Sequence, residues 1–289
     1  MTKSRSITAL LMTAIVGTSV WAQDSAIDYG GISNEPSGTS LPGKAVWFDL
    51  VTEDVNEASE FYRNVFGWSV EVQQDGVYAI ASNHGQPVAA IAAFEDGDQN
   101  RGEAVWLVSL SVDDVQLASE TAVREGGEVL EGPETLPGRG RYVLVRDPQG
   151  AVVMLLNADD GDPADVDPAD NGWLLAELWT SDREAATGFY NSVIGYRATT
   201  VHDTGGQPID VLGRDGKARV TVMKSPLDDI DPNWLPYLLV EDVKATAASV
   251  SAAGGNIIVP PQRDSRNFDI AIVADPTGGV FAIQELEDE

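Results

Sequence analysis

The chain has no cysteine, only two histidines and only five lysines among its 289 residues. Without cysteine it can form neither a disulfide nor a thiolate nucleophile nor a thiolate zinc site, so its stability rests on packed cores. Its two histidines, His84 and His202, have no partner cluster, and each reads as a solvated loop residue rather than a metal ligand. Basic residues are scarce as well: 18 Lys+Arg face 46 Asp+Glu, for a net charge of −28. A field of that sign repels phosphate backbones and anionic lipid, which argues against nucleic acid and membrane surfaces as partners. The acidity itself reads as a solvated exterior, with a cleft that concentrates cationic ligands as the alternative.

Only one long apolar run exists, Ile7 to Val16, and it falls short of the ~20 residues a spanning helix needs. Lys3 and Arg5 precede it and Val20-Trp21-Ala22 follows, the pattern of a secretory signal peptide cleaved before Gln23. Residues 1–22 are therefore expected to be removed and the mature protein to be periplasmic or secreted, with no membrane contact after cleavage. Residues 23–43, rich in Gly, Ser and Pro, read as a flexible leader. Residues 157–172 carry six aspartates and two prolines and read as a self-repelling acidic linker, with a calcium loop as the weaker alternative.

What the chain has in abundance is itself. Residues from Trp47 to Met154 reappear from Leu175 to Ala282 at a constant offset of 128 positions. Phe61, Tyr62, Val65 and Gly67 return as Phe189, Tyr190, Val193 and Gly195. Likewise Trp106, Asp114 and Asp147-Pro148 return as Trp234, Asp242 and Asp275-Pro276. Such a repeat implies one backbone path used twice. Ala45–Val51 reads as a strand, and Asp54 as the N-cap of an amphipathic helix that Gly67 ends. Segments 77–82 and 88–94 read as a hairpin, 106–112 as a strand, and 115–124 as a second helix capped by Asp114. A final hairpin turns at Asp147-Pro148-Gln149-Gly150.

These motifs, in order and twice over, resemble the vicinal oxygen chelate superfamily of glyoxalase, bleomycin-resistance and ring-cleaving dioxygenase proteins. The resemblance implies an α+β fold of two tandem βαβββ modules, at 44–156 and 173–287, pairing into a curved mixed sheet around a cleft. It also implies a divalent metal held from the first strand, a middle strand and the last strand. On those positions this sequence places Phe48 and Ala176, Leu107 and Leu235, and Met154 and Ala282, none of which binds a hard or borderline cation. No metal and no other cofactor is therefore expected, and the six side chains are expected to line an apolar ligand cleft instead.

Asp49 and Glu177 stand next to the lost first-strand positions as a general base or a displaced ligand, or else as carboxylates bonded to backbone or to an indole. In the loop 137–141, Arg139 and Arg141 can hold a carboxylate or phosphate at the cleft mouth, or simply offset the acidic exterior. Trp106 and Trp234 read as core, with a stacking floor for a ligand as the alternative. Three readings of function follow. One is a metal-free small-molecule binder acting as a monomer or weak homodimer. Another is a metal-dependent glyoxalase or dioxygenase-type lyase or oxygenase with non-standard ligands, and the third a purely structural or partner-binding module.

Overall fold

The computed structural model describes residues 29–35, 37–73, 76–94, 104–227 and 230–286. The expected signal peptide, residues 1–22, lies outside them. Among the described residues no helix is long and apolar enough to cross a membrane.

The first repeat runs β1 (Ala45–Thr52), α1 (Val55–Phe66), β2 (Ser69–Gln73), β3 (Tyr78–Asn83), β4 (Gln86–Ala93), β5 (Val105–Ser111), α2 (Val115–Arg124), β6 (Glu128–Leu136), β7 (Gly140–Arg146) and β8 (Val152–Ala158). The second runs β9 (Trp173–Thr180), α3 (Arg183–Ile194), β10 (Arg197–His202), β11 (Pro208–Arg214), β12 (Lys217–Lys224), β13 (Asn233–Leu239), α4 (Val243–Ala252), β14 (Asn256–Arg263), β15 (Asp269–Ala274) and β16 (Val280–Glu285). The α+β class and the tandem modules are as the sequence implies. The subdivision is finer, because each repeat contains the βαβββ unit twice and closes its own eight-stranded mixed sheet. Their orders are β2-β3-β4-β1-β5-β8-β7-β6 and β10-β11-β12-β9-β13-β16-β15-β14. The cleft therefore belongs to each repeat, not to the seam between them. In the second repeat the two wings of the sheet touch, where Thr204 in the β10–β11 turn donates its N–H to Ser265 in the β14–β15 loop at 2.7 Å.

Local chemistry sets the helices. Asp54 and Asp182 accept the N–H groups of Glu57 and Ala185, and left-handed Gly67 and Gly195 end α1 and α3. Phe61 and Tyr62 of α1 and Phe189 and Tyr190 of α3 then face one shared core, into which the helix-side faces of both sheets point. Across it the repeats exchange matching bonds. Tyr62 donates its hydroxyl to Asp275 at 2.8 Å and Tyr190 to Asp147 at 3.1 Å, while Trp106 and Trp234 donate their indole N–H to those same tyrosine oxygens. Each aspartate also holds its own turn, Asp147 through the N–H groups of residues 149–151 and Asp275 through those of Thr277 and Gly279. Trp106 and Trp234 are thus core residues. Gly127 and Gly255 permit the approach, since a Cβ on either would lie 3.0 Å from the ring of Phe189 or Phe61.

The linker is docked as well as acidic. Asp162 is buried and accepts from Leu41 N and Ser111 Oγ, each at 2.5 Å, and Asp165 pairs with Lys44 and Arg219. Leader residues 29–35 and 37–43 are likewise placed, with Tyr29 and Ile32 buried against the first sheet. Flexibility was the reading of their composition; two apolar anchors three residues apart suffice to dock them. Strands β2 and β6 were not legible either, being an exposed edge and a Gly-Pro-interrupted one.

Each Tyr–Asp bond joins a hydroxyl to a buried carboxylate, worth roughly 1.5–3 kcal/mol. Tyr62→Phe and Tyr190→Phe are each expected to lower unfolding free energy by about 2 kcal/mol in urea titrations, and to similar extents because the sites are equivalent. No change in either variant would contradict this account of the interface.

Candidate functional site

Strand alternation decides which side chains share the open face of each sheet. On β1, Trp47 and Asp49 point there, across from Leu107 and beside Ala90. Phe48 points the other way, into the helix-side core, where it stacks on Trp173 at 4.4 Å. Ala176 does the same in the second repeat, while Glu177 faces Leu235 across the open face. The six apolar residues are consequently not brought together. Leu107 and Met154 lie on the first open face, Leu235 and Ala282 on the second, and Phe48 and Ala176 on neither. Alternation correctly separates Asp49 from Phe48, but the sequence does not say which of the two faces the helices cover.

In the first repeat Asp49 is wholly buried. Its Oδ1 accepts the Trp47 indole N–H at 2.9 Å and Arg139 Nη1 at 3.1 Å. Arg139, also wholly buried, lies over the Trp47 ring at 4.5 Å and donates to the Tyr78 hydroxyl and the Tyr29 carbonyl. Burial pushes the Asp49 carboxyl above its ordinary range, and the Arg139 guanidinium and the indole oppose that push. Its second oxygen has no hydrogen-bond partner among the described residues. Arg141, by contrast, is exposed, so the two arginines do not form a pair.

The second repeat rebuilds this cluster from different positions. Glu177 accepts from the Trp179 indole at 2.9 Å, the Tyr237 hydroxyl at 2.7 Å, the Thr221 hydroxyl at 2.8 Å and Arg266 Nη1 at 2.6 Å. Burial, then the charge of Glu177, holds the Tyr237 phenol well above its usual range, so it stays a donor at neutral pH. Asp264 secures the other edge of Arg266 at 2.7 Å. Segment 265–269, the counterpart of the 137–141 loop, offers Arg266 one position away from the residue that matches Arg139, whereas Tyr237 corresponds to Ser109 and leaves no trace in the repeat. The signal available was the equivalence of Asp49 and Glu177. Leu174, Leu175, Met223, Val259 and Val280 surround this cluster and are only partly covered. An open groove of about 680 Å³ along β10–β12, bordered by Arg197, Val211 and Lys217, includes neither Glu177 nor Arg266. His84 and His202 are both exposed and stand apart from either cluster.

A divalent cation on these faces needs three or more oxygen or nitrogen donors. On the first face Asp49 is occupied by a guanidinium and Glu131 by the Tyr142 hydroxyl, and on the second Glu177 and Asp264 both hold Arg266, with aliphatic side chains facing Asp49 and Glu177. Among the described residues no three His, Asp or Glu side chains converge. The residues present do not fit the ion that the resemblance implies.

Comparison with known proteins matches the family model described as Glyoxalase/Bleomycin resistance protein/Dioxygenase superfamily over residues 44–155 and again over 173–283. A Mycobacterium bovis protein named "Putative glyoxylase CFP32" is 32% identical over 246 residues, covering 83% of this chain and 94% of that protein. The "Anthracycline biosynthesis protein DauV" of Streptomyces sp. strain C5 is 28% identical over 275 residues, covering 86% and 94%. Among solved structures, the Mn(II)-bound glyoxalase from Novosphingobium aromaticivorans superposes with a TM-score of 0.61 at 18% identity, covering 85% of this chain and 83% of that one. The 2,3-dioxygenase LapB from Pseudomonas sp. KL28 gives 0.58 at 15% identity, covering 88% and 94%. At those identities the likeness is one of fold.

Arg139→Met strips the buried Asp49 of its counter-charge, a loss of roughly 3–5 kcal/mol. A carboxyl whose folded pKa lies above its unfolded value gives stability that is present below the unfolded value and lost as pH rises through the folded one. The deficit of Arg139→Met relative to the native chain is accordingly expected to be larger at pH 7 than at pH 5 in urea titrations. An equal deficit at both pH values would contradict the burial of a charged pair.

Proposed function

This chain is a tandem member of the Glyoxalase/Bleomycin resistance protein/Dioxygenase superfamily, and from that premise we propose that it binds a small molecule on the open face of its second repeat without a catalytic metal. The observation that carries the reading is Arg266, whose guanidinium holds Glu177 at 2.6 Å on the face where a cation would need that carboxylate. Partly covered apolar walls around one fixed polar cluster are the usual form of a small-molecule site. Leu235 and Ala282 lie buried behind those walls. In the first repeat Leu107, Met154 and Arg139 serve the equivalent face, which the leader covers.

The second reading is a metal-dependent lyase or oxygenase with non-standard ligands. It draws support from the relative named a glyoxylase and from the fold shared with a Mn(II)-bound glyoxalase. It requires Glu177 to leave Arg266 and two further donors to reach the face, and a shared fold does not supply them. We further propose that the protein is exported, through the pattern at residues 1–22, and acts as a monomer or weak homodimer, since one chain already carries both modules.

Metal analysis of the purified mature protein, with and without chelator treatment, is expected to find no stoichiometric divalent ion, and small-molecule thermal-shift screening to find ligands that raise its melting temperature. One ion retained per chain would overturn the metal-free reading. Edman sequencing of protein recovered from the periplasm or medium is expected to begin at Gln23, and an intact Met1 on cytoplasmic protein would contradict export.

A further inference from the structure

The two repeats are preceded by corresponding stretches of chain, for residues 29–43 match 157–171 at the 128-residue offset. The second stretch has two ends to satisfy. It is held to the first repeat through Asp162, and it reaches the second through the Asp165–Arg219 pair and the bond from Asn171 N to Leu239 O. Spanning the repeats in this way, it does not turn back over the second open face. The first stretch folds over the first open face. There the Tyr29 carbonyl accepts from Arg139, the Tyr29 ring meets Tyr78 edge-on at 5.5 Å, and Ile32 is buried in the cluster that holds Trp47, Leu107 and Met154. Gly30 makes the approach possible, with φ at +65° and a position where a Cβ would lie 2.8 Å from Ile80 Cδ1. Beyond it, Asn34 Nδ2 donates to Gly85 O at 2.6 Å.

On the second face Arg266 stands as Arg139 does on the first, against the equivalent carboxylate and close to a phenol. Its side chain is 16% exposed where that of Arg139 is 0%. The apolar cluster there consists of the sheet's own strands and Leu227, and among the described residues nothing takes the place of Tyr29 and Ile32.

We propose that Tyr29–Ile32 is an internal ligand that closes the first repeat's cleft and leaves the second as the single site for an external molecule, which shares the leader's chemistry: a carbonyl oxygen beside an aromatic ring. The carbonyl would accept from the outer edge of Arg266, and the ring would lie among Tyr237, Trp179 and the surrounding aliphatic side chains. The second half of the proposal rests on the reading of the second repeat as a small-molecule site.

The test is calorimetric titration of the full chain with 4-hydroxyacetophenone, which carries both groups. The native chain is expected to take one molecule, lost in Arg266→Met. Two variants expel the leader by different means, Tyr29→Ala/Ile32→Ala by removing its anchors and Gly30→Val by placing a β-branched residue at a φ of +65°. Both are expected to take two molecules, and an acetylated peptide of residues 28–35 is expected to block the added site alone. Cooperatively unfolding variants that still take one molecule, or a native chain that takes two, would overturn the internal ligand. A native chain that takes none would overturn the ligand class. A metal ion found in the same samples would overturn the metal-free reading while leaving the step from one site to two intact, so the two failures are distinguishable.

Discussion

Two buried tyrosine hydroxyls, each bonded to an aspartate of the other repeat, are the constraint around which this molecule is organised. Asp147 and Asp275 are pushed above the ordinary carboxylate range, first by burial, and each is held by backbone N–H groups of its own turn as well as by the partner repeat's tyrosine. An aspartate so placed links turn geometry to domain geometry: loss of the turn would misplace the acceptor, and loss of the tyrosine would leave a buried carboxylate short of a donor. Because both bonds obey the same offset, the helix sides of the two sheets share one core and both open faces are directed away from it.

That outward arrangement frees each open face to carry its own polar cluster, and each does so around the one carboxylate that the repeats hold in common. Two unrelated sets of neighbours deliver the same result, an arginine from the loop before the penultimate strand, a phenol and an indole. A guanidinium and a divalent cation compete for the same oxygens, and the aliphatic side chains opposite give the cation nothing further to bind. The faces differ in cover. One is covered by Tyr29 and Ile32, while the corresponding stretch before the other joins the repeats.

Much of the fold was legible because duplication turns one sequence into two observations. Tyr62 and Tyr190, Trp106 and Trp234, and the paired Asp-Pro turns were marked out by recurrence, and the caps at Asp54 and Gly67 by simple local chemistry. Recurrence is also where legibility stopped. Arg139 has Asn267 at its offset, one position from Arg266, so the arginines recur only as a shifted loop residue, while Tyr237 has Ser109 at its offset and left no repeated trace. Alternation separated Phe48 from Asp49 without indicating which face the helices would cover, since both strand faces are rich in apolar residues. Tyr29 and Ile32 lacked any periodicity, because a segment docked by two side chains needs none.

The central claim is that a guanidinium, not a metal ion, completes the carboxylate of the open cleft. Crystals grown in manganese chloride and measured at the manganese absorption edge test it directly. The account predicts Arg266 still bonded to Glu177, with no anomalous density on that face. An anomalous peak within bonding distance of Glu177, with Arg266 swung away, would contradict it.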